Sequence, residues 1–447
     1  MNHDAVILGA GPAGLAVGSA LARQGRSVKI LEPASRWGGS IRTEQKAGWI
    51  VETGPNTLQL EGAEDWELLN QYGLKAVTQV AHDTAAQRFI FAHGKLHGLT
   101  PHPISLFKSG LLSNAAKCRL LGELFIPRGG HEGETIHDFV SRRFGEEAAL
   151  YLMDPVVSGV HAGDPGRLVM EYAFPRIHQL EQQHRSILWG LWRSPRTTRS
   201  IVGFPHGMQE LADAIARTLP QDSISLNSIT TMIRFDAGKW HLAWRDAHGQ
   251  DQGTTASHLI ITAPHWHWPS LPLEAALQNL LRPWERADAP PVTVVARGYD
   301  RRQVGHALNG FGYLTAGSES RQVLGCLFPS EILPQRAPEG KVLLCCFIGG
   351  ARHPQLARST DDALRKIVDE ELAETLQVHG APETEWIQRW EKAIPQYLHD
   401  QKRREQALTQ AETQFAGLHF HGAFRGGISL MQVLRGGEAL GQKIAQG

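Results

Sequence analysis

Four cysteines in 447 residues, Cys118, Cys326, Cys345 and Cys346, are too few for a disulfide framework. No pair of them has zinc-site spacing, and so sparse a set points to a reducing compartment. Cys345 and Cys346 are adjacent in K-V-L-L-C-C-F-I-G-G and read as buried strand residues. A net charge is also lacking: Lys+Arg and Asp+Glu both number 45, so no basic field draws nucleic acid. No stretch reaches the ~18 uninterrupted apolar residues of a spanning helix. The start, M-N-H-D-A-V-I-L-G-A-G-P-A-G, has no basic region, apolar run or cleavage site of a signal peptide. The expectation is a cytoplasmic protein that is soluble or at most lies on a membrane. Internal repeats and low-complexity linkers are absent. The length predicts two or three domains, and the 42% hydrophobic and 20% charged composition predicts that they are globular.

What is present begins at once. Ala5–Leu8 read as a strand, Pro12–Gln24 as a helix and Ser27–Leu31 as a second strand. Between the first strand and the helix, Gly9, Ala10, Gly11, Pro12, Ala13 and Gly14 fill G-x-G-x-x-G. The first glycine permits the tight turn, the second the approach of a pyrophosphate, the third close helix–strand packing. Glu32 ends the second strand 18 residues past Gly14, close to the ~20 expected for an acid on a ribose hydroxyl. Strand, turn, helix and acid together predict a dinucleotide site.

The next residues, E-P-A-S-R-W-G-G-S-I-R-T-E-Q-K-A-G-W-I-V-E-T-G-P, carry Arg36, Gly38 and Gly39 soon after the acid, then a hairpin rising to Gly54. This resembles the second fingerprint, E-x-x-x-R-x-G-G, of FAD enzymes of the amine oxidase superfamily. FAD is extended, and its pyrophosphate and isoalloxazine need separate supports; Arg36 supplies a cation near the first. A nicotinamide dehydrogenase has no need of this segment.

Further along, 134–153 read as helical, with Ile136, Phe139, Val140 and Phe144 on one face, and 204–219 as a helix aligning Met208, Leu211, Ile215 and Leu219. Strands follow, joined at Asp236-Ala237-Gly238, and A-S-H-L-I-I-T-A-P is a strand feeding a turn. Residues 291–350 are strand-rich, and the C-terminus is a strand, a glycine turn and a helix. The predicted fold is α/β. A discontinuous Rossmann-like FAD-binding domain (1–80, 201–268, 410–447) joins an α+β substrate domain with an antiparallel or mixed sheet (81–100, 269–409). A helical insertion (101–200) lies between them.

Several segments narrow the resemblance to the protoporphyrinogen oxidase family over nearly the whole chain: S-G-V-H-A-G-D-P (Ser158–Pro165), E-Q-Q-H-R-S-I (Glu181–Ile187), L-F-P-S-E-I-L-P-Q-R-A-P-E-G-K-V-L-L-C-C-F-I-G-G-A-R and W-E-K-A-I-P-Q-Y-L-H-D-Q. The resemblance implies FAD-dependent oxidation of protoporphyrinogen to protoporphyrin in tetrapyrrole synthesis. Six electrons leave in three flavin cycles, to O₂ or a quinone-type acceptor, and the flavin supplies the chemistry. No catalytic side-chain constellation and no metal site is expected. His265 and His267, beside Trp266 and Trp268, read as a polar wall or surface turn before a zinc pair. The family's substrate contacts carry over to Arg88 as propionate partner and to Gly159, Phe311, Gly312, Leu314 and Phe347 around the ring. Its flavin contacts carry over to Gly9–Gly14, Glu32, Arg36, Gly39, Ser40, Gly54, Pro55, Asn56, Thr57, Ile229, Gly427, Ile428 and Ser429. A downstream ferrochelatase-like enzyme is an implied partner. The rivals are a coproporphyrinogen oxidase of the same fold, whose four-propionate substrate calls for a more basic pocket, and a flavin amine oxidase or carotenoid desaturase. A non-catalytic porphyrin-binding flavoprotein is a third.

Two features depart from the pattern. Met431 and Gln432 stand where many relatives place Asp-Cys, and Arg425 adds a positive charge near the flavin end. Residues 104–128 mix Leu106, Phe107, Leu111, Leu112, Leu120, Leu121, Leu124 and Phe125 with Lys108, Lys117, Arg119 and Arg128 against one acid, Glu123. Such a basic amphipathic segment suits a membrane surface, and the family is often membrane-attached here; the other reading is a helix pair packed inside the insertion.

Overall fold

The computed structural model describes residues 2–194 and 199–447. Two seven-stranded sheets organise the chain. In the first, Asn2–Leu8 lies between Val28–Leu31 and Asp251–Ile261, parallel to both. Ile224–Ser225 and Leu418–Phe420 extend the parallel set on either side. The strands Ile229–Asp236 and Lys239–Arg245 form an antiparallel hairpin hung on the first half of Asp251–Ile261. Their turn falls at Ala237 and Gly238, both with positive φ, as a two-residue hairpin requires. Residues from the start, middle and end of the chain thus share one sheet.

The helix Pro12–Arg23 packs on this sheet and against the C-terminal helix Leu430–Gln446. Small residues make that contact possible: a Cβ on Gly437 would lie 2.8 Å from the Ala16 Cβ, and one on Gly441 2.5 Å from the Ala20 Cβ.

The second sheet runs in the order Thr384–Trp390, Val292–Asp300, Lys341–Gly349, Val323–Leu327, Gly312–Thr315, Arg88–Ala92, Lys95–Leu99. It is antiparallel except where Gly312–Thr315 meets Arg88–Ala92. One face, with Phe89, Phe91, Val295, Tyr313, Cys326 and Cys346, is sealed by the helix Asp361–Leu376. Cys326, Cys345 and Cys346 are buried and free, Cys118 is exposed and free.

Between Pro103 and Arg193 the chain is helical and turn-linked. Two expected helices are shorter than the periodicity suggests. The 134–153 segment breaks at Gly145, whose φ of +95° ends Ile136–Phe144; after Glu146–Ala148 a wide helical turn, Ala149–Met153, leads into Asp154–His161. The 204–219 helix spans only Gln209–Arg217, because Gly207 turns at φ +98°. Apolar spacing reports the buried face and continues through such breaks: Met208, Leu211, Ile215 and Leu219 are all buried.

Candidate functional site

The glycine turn after Asn2–Leu8 is built by exclusion of side chains. A Cβ on Gly14 would lie 2.0 Å from the Gly9 carbonyl oxygen, closer than any real side chain can approach, so helix and turn touch directly. The helix Pro12–Arg23 starts at Gly11 with no side-chain cap, leaving its first amides free for an anion at the positive end of its dipole. Gly39 packs on this turn: a Cβ there would lie 3.0 Å from the Gly11 Cα. Glu32 accepts the Ala10 amide at 2.7 Å and the Ala34 amide at 2.9 Å, one on each oxygen. A carboxylate offers about four acceptor sites, so capacity for ribose hydroxyls remains. Ile229 is exposed at the start of its strand, next to Ser228, whose amide donates to the Glu32 carbonyl.

Arg36 turns its guanidinium onto the loop itself. It donates to the carbonyls of Trp37 (3.2 Å), Ile41 (2.9 Å) and Gly39 (2.8 Å), and so braces the second fingerprint as well as bringing charge to it.

The hairpin Thr43–Lys46 and Trp49–Glu52 leads to V-E-T-G-P-N-T. A Cβ on Gly54 would lie 1.8 Å from the Ser40 carbonyl oxygen; no other residue fits there. Asn56 donates to the Gly54 carbonyl at 3.2 Å, while its Oδ1 is buried without a partner. An orphaned acceptor of this kind fits a flavin donor. Two groups that sequence reading missed, Trp390 and Arg336, hold the stretch from outside. Trp390 donates its indole N–H to the Thr53 carbonyl at 2.7 Å. Glu52, 2% exposed, meets Arg336 at 3.2 Å and accepts from the Thr43 hydroxyl (2.7 Å) and the Met208 amide (2.8 Å). Burial pushes the Glu52 pKa up to about 7 against the pull of Arg336. The sequence signal for Glu52 was an acid directly after the apolar run W-I-V; Arg336, in L-P-Q-R-A-P-E, carried none.

At the far end, Gly426 and Gly427 both have positive φ and lead into Leu430–Gln446, a helix whose N-cap Ser429 makes no side-chain cap. Met431 is buried in the core, and Gln432 lies over Gly427, 2.3 Å from where a Cβ would be. Arg425 does not present a free charge to the flavin end. It pairs with Glu405 (3.1 Å) and Glu412 (2.7 Å) on the helix Gln401–Gln414, because two carboxylates hold a half-buried guanidinium better than water does.

The substrate positions converge on the second sheet. Registers place Leu314 beside Gly325, and Gly325 beside Phe347. Gly312, Leu314 and Phe347 therefore share the face opposite the Asp361–Leu376 helix, and alternation along Arg88–Ala92 puts Arg88 there too. Leu314 and Phe347 are half-exposed. Above them passes the helix Asp154–His161: a Cβ on Gly159 would lie 2.2 Å from the Leu314 Cδ2. Arg88 is solvent-open, stacks over the Phe311 ring at 5.3 Å and has no carboxylate partner among the described residues; partial burial draws its pKa below the usual guanidinium value. The nearby Arg352 is committed to Asp154 at 2.7 Å.

His265 is neither a polar wall nor a surface turn. It is 1% exposed, among Trp266, Trp268 and Trp284, and burial draws its pKa down to about 4. Trp268 folds inward, anchored on the Ala263 carbonyl, while His267 stays exposed on the same turn. Among the described residues no group of three His, Cys, Asp or Glu could hold a metal.

Two large sheets, a G-x-G-x-x-G turn, a second glycine loop against it and the uncapped starts of Pro12–Arg23 and Leu430–Gln446 define an FAD-dependent oxidoreductase. The chain belongs to the flavin containing amine oxidoreductase family, whose model matches residues 12–430. It is similar to the mitochondrial protoporphyrinogen oxidase of Nicotiana tabacum (30% identical, covering 96% of this chain and 92% of that protein). It is also similar to the coproporphyrinogen III oxidase of Bacillus subtilis strain 168 (26% identical, 97% and 96%). The crystal structure of an Exiguobacterium sp. 255-15 protein assigned as a protoporphyrinogen oxidase superposes with TM-score 0.80 at 20% identity, covering 99% of this chain and 98% of that one. A reduced UDP-galactopyranose mutase does so with TM-score 0.75 at 15% identity, covering 100% and 96%. At these identities the two structures establish the fold alone.

Proposed function

We propose that this chain oxidises protoporphyrinogen IX to protoporphyrin IX. The observation that supports it best is the half-open sheet face, apolar at Gly312, Leu314 and Phe347 and edged by Arg88, which has no carboxylate partner among the described residues. A flat macrocycle with apolar faces and anionic propionates has that complementarity.

The chemistry that FAD would supply when bound is hydride acceptance from a saturated bridging carbon, with pyrrole protons going to solvent, three times over for the six electrons, three O₂ going to three H₂O₂ where O₂ is the acceptor. The chain's own residues bind and orient. Gly9–Gly14, Glu32, Arg36, Gly39, Ser40 and Ile229 would hold the adenine and pyrophosphate end. Gly54, Pro55, Asn56, Thr57 and Gly427–Ser429 would hold the ring end. Arg88 would take a propionate, and Phe311, Gly312, Leu314, Phe347 and the bare backbone of Gly159 would enclose the macrocycle and exclude water.

Coproporphyrinogen III is the second reading, favoured by the 26% identical relative. Its four carboxylates need more free cations than Arg88, and the pairing of Arg352 with Asp154 argues against it. The deciding experiment mixes the yellow protein anaerobically with each porphyrinogen and follows flavin absorbance, then admits O₂ and follows porphyrin fluorescence. Bleaching and fluorescence with protoporphyrinogen are expected; bleaching with neither porphyrinogen removes the assignment.

We also infer that the insertion rests on a membrane surface. Glu123, the single acid of 104–128, is fully buried: it pairs with Arg143 and accepts from the Ser186 hydroxyl and the Ile187 and Leu188 amides. It thereby joins the turn Gly122–Phe125 to the helix Ile187–Arg193. Around that joint Leu121, Leu124, Phe125, Trp189, Leu191 and Trp192 are exposed, Phe125 by 81% and Trp192 by 75%. Leu111 and Leu112 are core residues, and Arg119 is occupied by the Arg142 and Arg143 carbonyls. No helix among the described residues is long and apolar enough to cross a membrane.

A further inference from the structure

The segments S-G-V-H-A-G-D-P and W-E-K-A-I-P-Q-Y are distinctive in the sequence, and neither FAD nor substrate binding uses all of their residues. In the fold they meet. The Gln396 side-chain amide donates to the His161 carbonyl, 235 residues away, and to the Ile394 carbonyl, both at 2.9 Å. Gly163 admits this contact: a Cβ there would lie 2.6 Å from the Gln396 Oε1. The Val169 amide donates to the Tyr397 carbonyl at 2.9 Å. Gln396 is 4% and Tyr397 3% exposed.

The Tyr397 hydroxyl then reaches the other way. It donates to the Ala423 carbonyl at 2.7 Å and accepts from the Gly427 amide at 3.0 Å. A phenol has one proton and must give it to the carbonyl, which can only accept; the amide can only donate. Burial pushes the phenol pKa well up, so the proton stays. The two bonds pin both ends of the 423–427 turn, which holds Gly426 at φ +86° and Gly427 at φ +123°. A turn of consecutive positive-φ residues has no helix or sheet ladder to keep it in place. It precedes the uncapped start of Leu430–Gln446, so its conformation sets where the amides of Ile428 and Ser429 aim.

We propose that Gln396 and Tyr397 are positioning residues. Tyr397 fixes the aim of the C-terminal flavin turn, and Gln396 locks that turn to the Asp154–His161 helix that carries Gly159. One dipeptide thus holds the flavin contact and the substrate wall in a common register. The inference rests on the reading of Gly427–Ser429 as flavin contacts and of Gly159 as a substrate wall.

The test uses full-length protein. For Tyr397→Phe, apo-protein titrated with FAD by flavin fluorescence quenching is expected to bind roughly tenfold more weakly, as for the loss of one well-made hydrogen bond. The visible spectrum of its bound flavin should shift. A lowered thermal midpoint with wild-type FAD affinity and spectrum would reduce Tyr397 to packing and overturn its role. Should Tyr397→Phe not fold, the same two readings on protein carrying 3,5-difluorotyrosine at 397 decide; no change in either overturns it. Gln396→Ala is expected to keep FAD affinity and to raise KM for protoporphyrinogen several-fold at little cost in kcat. Unchanged KM, or lost FAD affinity, overturns the coupling. The FAD readings need no substrate, so a wild-type protein that binds FAD but bleaches with neither porphyrinogen would sink the proposed function and leave the Tyr397 test standing.

Discussion

Asn56 has a buried amide oxygen without a donor in a protein whose cofactor offers one. Asn56→Ala is therefore expected to weaken FAD binding about 2- to 10-fold, the range of one neutral hydrogen bond, while the turn at Gly9–Gly14 still retains the adenine end. Equilibrium dialysis of the variant checks it; full FAD affinity would return V-E-T-G-P-N-T to an ordinary loop. Arg88→Ala addresses the other ligand. A charge-assisted bond is worth more, so KM for protoporphyrinogen should rise roughly 10- to 100-fold with FAD content intact, measured by steady-state porphyrin fluorescence. Of the residues named from sequence, the glycines were the most legible, because a missing side chain is itself written in the sequence. Arg425 was the least, since its partners Glu405 and Glu412 come from another element.

At the scale of elements, the hairpin ending at Glu52 ties the second sheet to Met208 and the helix Gln209–Arg217, whose apolar face packs with the first. Trp49 and Val51 pack against Val294, Ala296, Leu343 and Cys345 of the second sheet, and Glu52 meets Arg336 inside the join. With a folded-state pKa of about 7 against an ordinary value of 4.5, the folded protein keeps a proton there that the unfolded chain has lost. That group's contribution to stability falls as pH rises from about 4.5 to 7 and is level above. Glu52→Gln removes this slope. Its thermal midpoint should rise more steeply with pH than that of the wild type over this window, as differential scanning calorimetry would show; parallel curves would contradict the raised pKa.

Over the whole molecule, the histidines pull the other way. His161, His265 and His419 are each drawn down to about 4, chiefly by burial, from 6.5. Between pH 6.5 and 4 the unfolded chain holds protons on them that the folded protein refuses, so stability is lost as pH falls through that window. Three such groups outweigh the single carboxylate of similar displacement, and the thermal midpoint of the wild type should fall on acidification. His265→Phe should flatten that fall; an unchanged pH profile would show that His265 titrates normally. The exposed apolar joint around Phe125 and Trp192 is also a property of the assembled molecule. Flotation with anionic liposomes is expected for the wild type, most strongly at low salt, and to be much reduced in Phe125→Ser/Trp192→Ser; no flotation of the wild type at either salt would sink the membrane reading.

The flavin fold was readable from the chain alone, because its devices are local. A strand, a glycine turn, a helix and an acid are adjacent in the chain, and backbone space and hydrophobic period are properties of short windows. Family resemblance also marked Gly159, Leu314 and Phe347. That Leu314, Phe347 and Arg88 share one sheet face, with Gly159 packed over it from a helix, emerges in three dimensions alone, since pairing register and helix packing bring four distant segments together. Folding likewise turned Glu123 inward, committed Arg425 to a neighbouring helix, and let Gln396–Tyr397 reach both the substrate helix and the flavin turn. Buried polar groups must find partners wherever the fold supplies them, and that choice is not local in sequence.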